Sequence, residues 1–209
     1  MARPLPTGPP RFTVFDTPVL RSILRWFAVG LLRAKGWRTR MRLPDSPRWV
    51  AVVAPHTSFW DMPILVSAAL KHRVRVNWLG KHTLFRGPFR WFFRWLGGIP
   101  VNPGNGGEGR VPGVLEAFRS NERMRIAITP EAGLSRVTRW RSGFYHIAVG
   151  AGVPLLLAYA DYRKRIAGAG EWFLPTGDME ADYARLRAFY ADKMPRHPGR
   201  FALPEIGGA

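Results

Sequence analysis

The stretch that decides the fold is Trp49-Val50-Ala51-Val52-Val53-Ala54, followed at once by Pro55-His56-Thr57-Ser58-Phe59-Trp60-Asp61. A short valine-rich run with no polar interruption suits a strand buried on both faces. The proline ends it, and the Ser and Asp that follow are helix-capping residues ahead of the apolar run 61–70, which reads as a helix. Outward from this strand–turn–helix the same alternation recurs. Strands are expected over 74–79, 99–101, 125–129, 153–159 and, shorter, 172–174. Helices are expected over 85–96, 111–120, 143–150 and 178–194. Such alternation predicts a single α/β domain with a mostly parallel central sheet flanked by helices. Ligands in these folds gather at the carboxyl ends of strands. His56 follows one such end and Glu131 follows another, after Arg125-Ile126-Ala127-Ile128-Thr129-Pro130.

Ahead of the domain lies 18–32, whose Leu20, Ile23, Leu24, Phe27 and Leu31 recur at spacings of three and four. With Arg21, Arg25, Arg33 and Lys35 beside them, and Trp26 and Phe27 among them, this reads either as an amphipathic helix for a membrane surface or as a helix packed on the domain. It is too short and too charged for a comfortable membrane span. The division expected is an N-terminal segment over 1–40 and the main domain over 41–209. Residues 1–10, rich in proline, carry no apolar run of the secretory kind.

The formal charge of +18 favours polyanions: nucleic acid, anionic lipid headgroups or phosphorylated substrates. Thirteen Phe and nine Trp among 209 residues suit a membrane interface, single-stranded nucleic acid or simply a core. There is no cysteine, so disulfides, thiolate nucleophiles and Cys-ligated metals are excluded. His72, His82, His146 and His197 show no metal-ligand spacing, so no metal is expected. No Gly-x-Ser-x-Gly is present for a serine hydrolase. The glycine-rich 102–109 lacks the Lys-Ser/Thr of a phosphate-binding loop. No nucleic-acid motif is evident, and nucleic acid is not an expected partner.

His56 and Asp61 stand with four residues between them. Histidine is suited to take a hydroxyl proton near neutral pH, and a carboxylate on its other ring nitrogen fixes the tautomer. The order of segments adds to this pair. His56–Asp61 (HTSFWD), then 80–102 with its Gly97-Gly98-Ile99-Pro100-Val101-Asn102, then Thr129–Arg136 (TPEAGLSR), then 153–159 (VPLLLAY) resembles the four ordered blocks of the glycerophospholipid acyltransferase family. The resemblance spans about 49–162. It implies transfer of a fatty acyl group from acyl-CoA or acyl carrier protein to a lysolipid hydroxyl, in the manner of a 1-acylglycerol-3-phosphate acyltransferase, with no cofactor. His56 would be the base, Asp61 its partner, and Glu131, Gly133, Ser135, Arg136 and Asn102 would bind the acceptor. An anionic membrane surface is the implied partner, and the cytoplasmic face of the cell membrane the implied location.

The sequence departs from the family pattern in two places. Pro103 follows Val101-Asn102 where an Asp/Asn-Arg pair is usual, and Ala132-Gly133-Leu134 replaces Gly-Thr-Arg. Both family arginines expected on the acceptor phosphate are therefore missing. Arg110, Arg136, Arg139 and Arg141 are near in sequence, and an acceptor without phosphate is the other reading.

Overall fold

A computed structural model describes residues 9–10, 12–101 and 111–206. Its centre is the strand Trp49–Val53 (β2), buried along its whole length. Two parallel neighbours flank it, Arg125–Ile128 (β5) and Leu155–Asp161 (β7). Beyond β5 the sheet continues in parallel through Asn77–Lys81 (β3) to Gly98–Val101 (β4). On the other side Ile166–Phe173 (β8) returns antiparallel against β7, and Arg38–Met41 (β1) lies parallel to β8 at the edge. The order is β1-β8-β7-β2-β5-β3-β4. A short pair, Arg139–Trp140 (β6) with Glu205–Ile206 (β9), stands apart.

Alternation along β2 splits the core into two layers, as strand geometry requires. Val50 and Val52 face one layer with Val114 and Phe118 of Val111–Arg119 (α4), Phe144 and Ile147 of Gly143–Ala151 (α5), and Tyr183, Leu186 and Tyr190 of Met179–Tyr190 (α6). Trp49, Ala51 and Val53 face the other layer with Ala69 and Leu70 of Asp61–Lys71 (α2) and Ala28 of Pro18–Ala34 (α1). The result is one α/β domain with helices on both faces.

Several expectations shift for local reasons. The strand expected from Val74 begins at Asn77, because the preceding residues finish α2. Arg73 adopts φ +58°, its N–H donates to the Leu70 carbonyl, and the Val74 N–H reaches back to the Ala69 carbonyl. The helix expected over 85–96 is broken by Gly87-Pro88, since the residue before proline disfavours helical backbone. A 3-10 turn over His82–Phe85 and a short helix Arg90–Trp95 (α3) take its place.

Strand β8 is much longer than the 172–174 expected. At Gly168, with φ +142°, a side chain would stand 1.8 Å from the Arg40 carbonyl oxygen. Only glycine lets β1 approach there. Strand β1 was not expected at all, and it straddles the boundary placed at residue 40. Helix α1, expected over 18–32, runs on to Ala34, and Gly36 with φ +68° turns the chain so that the Trp37 N–H closes on the Leu32 carbonyl. Among the described residues no helix is long and apolar enough to cross a membrane.

Candidate active site

Strands β2, β3, β4, β5 and β7 run in one direction, so the turns after them leave the sheet at one end. The turn after β2 is built around the carboxylate of Asp61, the first residue of α2. Its Oδ2 accepts the backbone N–H groups of Thr57 at 3.0 Å and Ser58 at 2.9 Å. Its Oδ1 accepts the Tyr162 hydroxyl at 2.7 Å. Asp61 is 1% exposed. The His56 Nδ1 lies 3.2 Å from Oδ2, at ion-pair distance but with the ring N–H off the hydrogen-bond line. Catalytic hydrogen bonds are commonly this loose before substrate arrives. The His56 side chain keeps 20% of its surface, while Nδ1 is covered. Nε2 is the ring nitrogen turned away from Asp61.

The turn after β5 meets this one through Glu131, whose Oε2 accepts the His56 backbone N–H at 2.7 Å. Its Oε1 is buried with no partner among the described residues. Burial pushes the Glu131 carboxyl up to about 7; the His56 N–H and ring pull it down, and the Asp61 charge pushes it further up. Glu131 thus ties the β5 turn to the backbone of His56. Gly133, Ser135 and Arg136 stand exposed just beyond, after Ala132 with φ +55°. They share that end of the sheet but make no hydrogen bond to the dyad among the described residues. Asn102, with Pro103 and Arg110, lies outside the described residues.

Four contributors were not singled out from sequence. Tyr162 leaves the end of β7 and reaches Asp61, and the rule that ligands gather at strand ends is the signal that would have found it. Trp37 packs edge-on against the Tyr162 ring, with centroids 5.0 Å apart. The Arg196 guanidinium lies over the Trp60 ring at 5.7 Å, and its charge acts on the Tyr162 hydroxyl. The Thr57 hydroxyl accepts the His197 N–H at 3.2 Å, fixing the C-terminal segment to the turn. Beside these runs a partly open cavity of about 180 Å³. It is walled by Leu32, Trp37, Trp60 and Ile64, with Lys35 and Arg196 as its cations.

Around the site several rings face outward. Phe59 is 80% exposed, next to Trp60. On 89–96, Phe89 and Trp91 are exposed while Phe93 and Trp95 are half-buried.

A comparison with curated proteins finds no match. Among solved structures, the chain is similar to the crystal structure of PlsC from Thermotoga maritima, a 1-acyl-sn-glycerophosphate (LPA) acyltransferase. The TM-score is 0.54 at 16% identity, over 79% of this chain and 74% of that one. At that identity the likeness is one of fold. The family model for acyltransferases matches residues 40–157, more than half of the chain and a span that holds His56, Asp61 and Glu131. This chain belongs to the Acyltransferase family.

Proposed function

We propose that this acyltransferase moves a fatty acyl group from a thioester, acyl-CoA or acyl carrier protein, to the hydroxyl of a lysolipid, with 1-acyl-glycerol-3-phosphate the acceptor. The observation that carries the reading is the His56–Asp61 pair at the mouth of the sheet. One ring nitrogen is turned to a buried, fully engaged carboxylate and the other is left for substrate.

In this reading Nε2 of His56 takes the acceptor's hydroxyl proton as the oxygen attacks the thioester carbonyl. The tetrahedral oxyanion collapses, the C–S bond breaks, and the thiolate leaves with the proton that His56 returns. Asp61 stabilises the imidazolium between the two transfers. Glu131 keeps the His56 backbone in place through its 2.7 Å hydrogen bond, and the rim residues Gly133, Ser135 and Arg136, with Asn102, meet the acceptor. No cofactor is called for.

Membrane attachment through α1 fits the same reading. Of its apolar stripe, Leu20, Ile23 and Phe27 are exposed rather than packed on the domain, as are Val19 and Trp26. Exposed rings beside arginines on a chain of charge +18 suit an anionic membrane surface, entered from the cytoplasmic side. Leu134, standing where the family resemblance leads one to expect arginine, favours a second reading in which the acceptor carries no phosphate.

Purified protein with radiolabelled acyl-CoA or acyl carrier protein, offered lysophosphatidic acid, lysophosphatidylcholine and a lyso-ornithine lipid, separates these. Transfer to lysophosphatidic acid is expected. Transfer only to the ornithine lipid would overturn the acceptor, and transfer to none would overturn the reading.

A further inference from the structure

Asp61 is 1% exposed and engaged on both oxygens. Oδ2 carries the two backbone N–H groups of its own turn, three and four residues back along the chain. The donor on Oδ1 is different in kind. It is the phenol of Tyr162, 101 residues away in sequence, at 2.7 Å, closer than His56 itself at 3.2 Å. We propose that Tyr162 is a positioning residue for the His56–Asp61 pair, locking the plane of the Asp61 carboxylate so that Oδ2 stays directed at His56 Nδ1. The proposal rests on the acyl-transfer reading above.

The physical case has three parts. First, two N–H groups on one oxygen leave the carboxylate free to swing about its own axis, and a donor on the second oxygen stops that motion. Second, the phenol is itself held. Trp37 meets its ring at 90°, and the Tyr162 N–H donates to the Met194 carbonyl at 2.8 Å. A donor that is pre-set costs no rearrangement when charge appears on the imidazole. Third, the charged groups beside the phenol are Asp61 and the Arg196 guanidinium, and burial with the Asp61 contact keeps the Tyr162 hydroxyl protonated. It can therefore only donate to the carboxylate, never compete with it for a proton from His56.

A phenol in a half-buried place needs some acceptor, so the contact alone is compatible with plain packing. Tyr162→Phe separates the two roles, because it keeps the ring against Trp37 and removes only the hydroxyl. With acyl-CoA and lysophosphatidic acid, kcat is expected to fall roughly 10- to 100-fold, the worth of one hydrogen bond to a buried charge, with acceptor KM within about twofold. Nitrogen-15 spectra of His56 are expected to show a preference for the Nδ1–H tautomer in the wild type and to lose it in Tyr162→Phe.

A kcat within about twofold of wild type, or a loss confined to KM, would overturn the proposal. The spectral arm needs no turnover. If the wild type transfers nothing, the acyl-transfer reading fails by itself, and an unchanged His56 spectrum in Tyr162→Phe still overturns the positioning role. Should Tyr162→Phe not fold, Trp37→Phe loosens the ring's seat. It is expected to lower kcat about two- to fivefold at constant KM, and no change would count against the proposal.

Discussion

Glu131 offers a test in which the structure supplies both sign and size. Burial raises its carboxyl from the ordinary 4.5 to about 7 in the folded chain. A folded-state value above the unfolded one means that the folded chain binds the proton more tightly. The stability this group contributes is therefore fully present below pH 4.5, where both states are protonated, and is lost as pH rises through 7, above which both are ionised. The shift of about 2.5 units corresponds to about 3 kcal/mol, at 1.36 kcal/mol per unit. Glu131→Gln has no such titration, while its amide oxygen can still accept the His56 N–H. Its NH2, placed where Oε1 has no partner among the described residues, carries a cost that does not depend on pH. Urea unfolding of both proteins between pH 4.5 and 8 should show the variant gaining about 3 kcal/mol on the wild type across that window. Stability curves that run parallel in pH would mean that the buried carboxyl titrates in the ordinary range, and the electrostatic picture of the two turns would fall.

Gly168→Ala should destabilise the protein by at least ~2 kcal/mol and raise amide exchange in 38–41, because the new methyl meets the Arg40 carbonyl; an unchanged melting temperature would deny the close approach of β1. Replacing Trp26 and Phe27 by Ser should weaken sedimentation with anionic vesicles, by about tenfold or more for each ring, while leaving the melting temperature nearly unchanged, since both side chains face outward. Equal vesicle binding by variant and wild type would remove α1 from the membrane contact.

The central strands were legible because burial on both faces leaves a mark in composition. Trp49–Val53 and Leu155–Asp161 are nearly unbroken apolar runs, and they occupy the middle of the sheet. The edge left no such mark. Strand β1 reads Arg-Thr-Arg-Met, and β8 begins Ile-Ala-Gly-Ala-Gly; both depend on backbone pairing that glycine permits and no apolar pattern announces. Local signals were also outvoted by proline. The aromatic run after Phe85 has helical composition, and Gly87-Pro88 splits it.

At the site, residues carried by short motifs could be named in advance. His56, Asp61 and Glu131 each follow a strand end, and the fold brings both carboxylates to His56. What could not be read was whatever depends on long-range packing. Tyr162 meets Asp61 from another strand, Arg196 arrives from the C-terminal segment, and Trp37 is delivered by the turn at Gly36. The backbone N–H groups of Thr57 and Ser58, which hold the carboxylate, belong to no side-chain motif.

The most direct measurement is single-turnover acyl transfer to lysophosphatidic acid by the wild type and by His56→Ala at equal folded concentration. Loss of the general base is expected to slow the chemical step by about 10²- to 10⁴-fold with the fold intact by circular dichroism. Transfer by His56→Ala at a rate near that of the wild type would show that the imidazole beside Asp61 is not the base, and the proposed chemistry would have to be placed elsewhere in the molecule.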